Sequence, residues 1–67
     1  DNFMISGTVK MWKEAEGWGF IEGDDGDDYF FNIANIRKGQ KILVNVRVKF
    51  DVTQGHRGPE AENVSLF

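Results

Sequence analysis

From Ile42 to Val52 every even-numbered residue is apolar, and every odd one except Leu43 is polar or charged. Side chains alternate across a strand with a period of two, so this run reads as a half-buried strand with one wet face. Eleven residues exceed the usual five or six. Asn45 tolerates a left-handed backbone and is the point where the run can break into turn plus strand. Helical periodicity is sustained nowhere. Four further segments read as strands: Ser6 to Lys13, Gly17 to Glu22, Asp28 to Asn32 and Ala61 to Leu66. Asp-Gly suits the left-handed positions of a hairpin, which makes Gly23 to Asp27 a turn. Ile33 to Gln40 is a connection, and Gln54 to Pro59 is a second loop rich in breakers.

A chain of 67 residues is one small domain, and it buries only about 60% of its unfolded surface. It contains no cysteine, so no disulfide or thiolate metal site holds it together. Five short antiparallel strands without a helix then favour a small all-β barrel, which closes and removes its edges. An SH3-like barrel fits the same pattern, so strand order stays open at this level. The domain is expected over residues 4–67, with Met4 as the natural start and Asp1, Asn2 and Phe3 as leader residues.

Nine aromatic residues are a heavy load for such an interior. Alternation puts Trp18 and Phe20 on one face of their strand and Gly19 and Ile21 on the other. In the third strand Phe30 and Asn32 share a face, while Tyr29, Phe31 and Ile33 take the opposite one. If Ile21, Tyr29, Phe31 and the even row of residues 42–52 fill the interior, Trp18, Phe20 and Phe30 are left outside as one patch. An exposed aromatic cluster needs a reason. Base stacking supplies one, at about 1–3 kcal/mol per base with little sequence demand. Plain core packing is the competing reading.

The net charge of −3, from 8 basic and 11 acidic side chains, excludes a strongly basic DNA-binding protein. The charge is uneven: Glu14 to Asp28 holds seven acids and no base, and Arg37 to Arg57 six bases and one acid. The single histidine, His56, builds no metal centre alone. The acids from Glu22 to Asp28 lack the spacing of a calcium loop. No nucleophile, base and orienting group converge, so neither an enzyme nor a cofactor is expected. No apolar stretch approaches the roughly 20 residues of a membrane span. The expectation is a cytoplasmic monomer without a small-molecule substrate.

Three ordered motifs add a resemblance. Gly7-Thr8-Val9-Lys10 followed by Gly17-Trp18-Gly19-Phe20-Ile21 resembles the opening of the bacterial cold-shock domain, G-x-V-K-W-F-N-x-x-K-G-F-G-F-I, without a gap. Asp27 to Ile33 resembles the family's second motif, D-D-[VL]-F-V-H-F. Asp51 to Val64 resembles its ending, T-Q-G-x-R-G-P-x-A-x-N-V. The resemblance covers residues 4–66. It implies a five-stranded barrel of the oligonucleotide-binding (OB) type that stacks single-stranded RNA or DNA on its aromatics. It also implies an RNA chaperone or transcription antiterminator. By position, Trp18, Phe20 and Phe30 are implied as stacking rings. Lys10 falls on a basic residue near the phosphates, and Arg57 on a loop arginine at the edge of the site. Asn32 stands for a hydrogen-bonding histidine.

The departures bear on strength. The family tryptophan of the first strand is Met11, and Trp12 takes the next position. Strict alternation aims Trp12 with Lys10 and Met11 with Val9. Either Trp12 serves as the platform from the neighbouring slot, or a bulge restores Met11 to the site. Glu16 reverses a lysine, Ile33 replaces a phenylalanine, and the following loop is shorter and lacks its usual aromatic. At about 1–3 kcal/mol per stacked base, two lost rings weaken binding by tens- to thousands-fold. The expectation is single-strand binding with reduced affinity through Lys10, Met11, Trp12, Trp18, Phe20, Phe30, Asn32, Ile33 and Arg57. The alternative is a protein-interaction module on the same barrel.

Overall fold

The computed structural model describes residues 4–67. Five strands, β1 (Met4–Lys13), β2 (Trp18–Gly23), β3 (Asp28–Asn32), β4 (Arg47–Gly55) and β5 (Gly58–Leu66), close into a barrel in the order β1-β2-β3-β5-β4. Four pairings are antiparallel. The β3–β5 contact, through Phe30 and Glu60, is parallel.

The interior follows the alternation of the sequence. Val9, Ile21, Phe31, Val48, Phe50, Ala61 and Val64 are fully buried, with Tyr29 and Ile42 nearly so. The Tyr29 ring tilts against Phe50 at 5.2 Å. Its hydroxyl leaves the core and donates to Asp25 Oδ2 at 2.5 Å. That bond, and burial after it, push the phenol up to about 12, and the same hydroxyl holds the Asp25 carboxyl below its usual range.

The long strand expected over residues 42–52 is shorter and later. Asn45 is left-handed, with φ of 76°, and Val46 N–H donates back to Leu43 O. The segment still serves the sheet, because Asn45 N–H donates to Val9 O and Val9 N–H to Val46 O. Reversal at Asn45 turns Val44 outward, while Ile42, Val48 and Phe50 stay inside. Ile33 also departs from its expected face. It opens a 3-10 turn, Ile33–Asn35, and lies 63% exposed rather than beside Tyr29 and Phe31. The loop expected over Gln54 to Pro59 is a tight hairpin in which Gly55 pairs with Gly58 around His56 and Arg57.

Candidate nucleic-acid interface

Register decides which side chains share the outer face of the sheet. Phe20 lies opposite Phe30, and Trp18 opposite Asn32. Directly opposed residues of antiparallel strands project to one side, so these four form a single surface, each side chain half-buried. The Trp18 and Phe30 rings stack at 6.0 Å with 27° between their planes. Their counterparts on the inner face, Gly19, Ile21, Tyr29 and Phe31, are buried. The patch expected of Trp18, Phe20 and Phe30 is therefore present and outward.

β1 joins this face through a bulge. Val9 lies opposite Ile21, but Met11 lies opposite Phe20 and Trp12 opposite Gly19, so Lys10 is the extra residue. The bulge reverses the phase of the strand. Met11 comes to the outer face beside Phe20, and Trp12 turns to the inner one. There it stacks on Phe31 at 5.1 Å, nearly parallel. Strict alternation misplaces both residues, and Trp12 is not part of the Trp18–Phe30 surface. Val9 and Trp12 are three apart and both reach the core, which a regular strand does not allow; that spacing is the signal of the bulge. Gly19 makes the crossing possible: a Cβ on it would lie 2.1 Å from the Met11 carbonyl oxygen.

The polar residues frame the rings. Arg57, at the tip of the β4–β5 hairpin, places its guanidinium 4.4 Å from the Phe30 centroid. It belongs to the platform, not only to its edge. Lys10 is exposed and pairs loosely with Glu22 at 3.7 Å. Asn32 is fixed by a capping box. Its Oδ1 accepts from Ala34 N–H at 2.8 Å, and its own N–H donates to Asn35 Oδ1 at 2.9 Å, which leaves the Nδ2 amide group beside Trp18. Glu16 sits in the exposed β1–β2 turn just before Gly17, whose φ is 80°. Ile33 is exposed next to Asn32, at the end of the patch.

The acids of the β2–β3 turn act within the fold. Asp24 accepts a two-pronged bond from Arg47, at 2.8 and 2.6 Å, which lowers its carboxyl and raises the guanidinium. Asp25 holds Tyr29 and the Asp27 N–H. The outer face thus brings together three rings, a thioether, an amide and a guanidinium, groups on which planar molecules can stack.

A family model described as the 'Cold-shock' DNA-binding domain matches residues 5–67. The chain belongs to the cold-shock domain family. Among curated relatives, the cold shock protein CspC of Bacillus subtilis is 46% identical over 63 residues, covering 91% of this chain and 96% of the relative. The cold shock protein ScoF of Streptomyces coelicolor is 45% identical over 65 residues, covering 92% and 97%. The cold shock-like protein CspC of Bacillus cereus is 44% identical over 62 residues, covering 90% and 95%. As a member of this family the protein binds nucleic acid and is not an enzyme. No helix among the described residues is long and apolar enough to cross a membrane.

Proposed function

We propose that this cold-shock domain binds single-stranded RNA or DNA by stacking bases on Trp18, Phe20 and Phe30, with Met11 as a softer fourth contact. It acts in the cytoplasm as an RNA chaperone or antiterminator and so regulates transcription and translation. The observation that carries this reading is the single outward surface formed by the three rings. Arg57 and Lys10 supply phosphate contacts, and Asn32 donates to a base or sugar. Ile33 extends the surface as an apolar contact without a ring to stack on. Every base has a π-face to offer to rings of this kind, so recognition tolerates sequence. A duplex keeps its bases paired and stacked and does not compete. Melting weak RNA hairpins follows from that preference: whatever binds only the open strand shifts the equilibrium toward it.

The test is titration with oligothymidine and with a duplex of equal length, followed by tryptophan fluorescence. Trp18 is the reporter on this face. Quenching by the single strand alone, weakly dependent on salt, is the expected result, because stacking outweighs counterion release in an acidic protein. Absence of quenching at tens of micromolar would refute the reading and favour a protein-interaction module.

A further inference from the structure

The chain contains no cysteine, so its sulfur chemistry is confined to two thioethers, Met4 and Met11. Their places in the fold differ. Met4 is 60% exposed at the start of β1, opposite Asp51 of β4. Seven positions separate it from Met11, about 20 Å at roughly 3.3 Å per residue. Met11 is half-buried opposite Phe20, on the face that carries Trp18 and Phe30. The bulge at Lys10 puts it there. Trp12 does not take its place, since that indole lies inside against Phe31 and next to Arg37, Lys38 and Lys41. One sulfur of this chain therefore belongs to the ring surface and the other does not.

A thioether is flexible, apolar and polarizable, and it rests well against aromatic rings. Its sulfoxide is polar and chiral. A base that stacks over the oxidised sulfur must strip water from the new oxygen, and a flat π-face offers no donor in return. We propose that Met11 is a redox-sensitive site: oxidation of its sulfur by hydrogen peroxide weakens the hold on the single strand, and reduction restores it. The inference rests on the single-strand reading above. In the forward step the O–O bond of the peroxide breaks. One oxygen forms the S–O bond as the sulfur gives up two electrons, and the other leaves as water. In the return step a dithiol, acting through methionine sulfoxide reductases, removes that oxygen as water and becomes a disulfide. Neither step changes the net charge, so the effect falls on the apolar contact and spares Lys10 and Arg57.

The test treats the protein with hydrogen peroxide and maps the oxygen gained at each methionine by peptide mass spectrometry. Oligothymidine titrations before and after follow Trp18 fluorescence. The oxidised protein is expected to bind about tenfold more weakly, the effect of covering one unpaired acceptor. Its salt slope should be unchanged, because no phosphate contact is lost. Incubation with dithiothreitol and both reductases, one per sulfoxide epimer, is expected to restore the affinity. Met4→Leu should lose affinity on oxidation as the unaltered protein does. Met11→Leu, compared only with itself, should bind equally before and after peroxide. An equal loss in Met11→Leu puts the damage on Met4 or on a ring and overturns the proposal. So does a Met11 that stays reduced while Met4 is oxidised, an affinity unchanged by oxidation of Met11, or a loss that the reductases do not reverse. Urea unfolding separates binding from folding: the oxidised protein is expected to keep a cooperative transition, and a chain already unfolded without urea overturns the proposal. If the reduced protein itself binds no oligothymidine, the stacking reading fails first and this one with it.

Discussion

Gly19 is where one methyl group tests both the barrel and its binding face. It lies on the inner side of β2, between Trp12 of β1 and Phe31 of β3, and those two rings meet across it. An added Cβ would fall 2.1 Å from Met11 O and 3.0 Å from the Trp12 Cα. Ordinary C···O contacts begin at about 3.3 Å, so β1 must retreat by roughly 1 Å. Both obstacles are main chain, which no rotamer change removes. Overpacking costs about 1–3 kcal/mol and at times more, and a main-chain clash beside the core belongs at the upper end, about 3 kcal/mol. At 0.05–0.15 kcal/mol per residue, a domain of this size has a total stability of about 3–10 kcal/mol. Gly19→Ala is thus expected to remove a third or more of it. Gly39→Ala is the matched control. Its φ is 81° and no atom lies within 4 Å of the added Cβ, so only the left-handed penalty of about 1–2 kcal/mol applies. Urea unfolding followed by tryptophan fluorescence measures both. A cost for Gly19→Ala below that of Gly39→Ala would show that the β1 bulge does not press on β2 and refute the account of how Met11 reaches the face.

Three further outcomes follow from the geometry. Phe30→Ala removes a stacking ring and the seat of Arg57, and is expected to weaken oligothymidine binding by about 5- to 150-fold, as 1–3 kcal/mol requires; an unchanged dissociation constant in a fluorescence titration would contradict the platform. Asn32→Ala leaves Ala34 N–H without its cap and should cost about 1 kcal/mol in urea unfolding, whereas Asn32→Asp, which keeps an accepting oxygen, should not. The Tyr29 phenol is held near 12 in the folded state against about 10 when unfolded. Its contribution to stability is then complete below pH 10 and lost as pH rises from 10 to 12. Tyr29→Phe has no such ionisation, so the difference between the two proteins' stabilities should narrow across that interval, and a difference independent of pH would refute the Tyr29–Asp25 bond.

Much of the barrel was legible because alternation is a local property. Asp28 to Asn32 reads as a strand and is one, and Ile21, Tyr29 and Phe31 are inside because their neighbours Phe20, Phe30 and Asn32 are outside. The errors fall where a local pattern was broken by something distant. Val44 obeys the period-two rule in sequence and yet faces outward, because Asn45 reverses the chain to meet Val9 on another strand. Ile33 continues the inner row of β3 on paper, but the Asn32 cap starts a 3-10 turn there.

By itself the sequence determined that this is a small all-β domain with three rings left outside, and its motifs resembled one family across nearly the whole chain. That much follows from side-chain period, turn residues and the limited room inside a small barrel. Only the tertiary structure decided which of Met11 and Trp12 faces the ligand surface. The choice rests on a one-residue bulge, and a bulge is fixed by what the neighbouring strand allows. Here Gly19, on β2, provides the space. The same cause places Trp12 beside Arg37, Lys38 and Lys41, more than twenty residues away in the chain and brought near only by closure of the barrel.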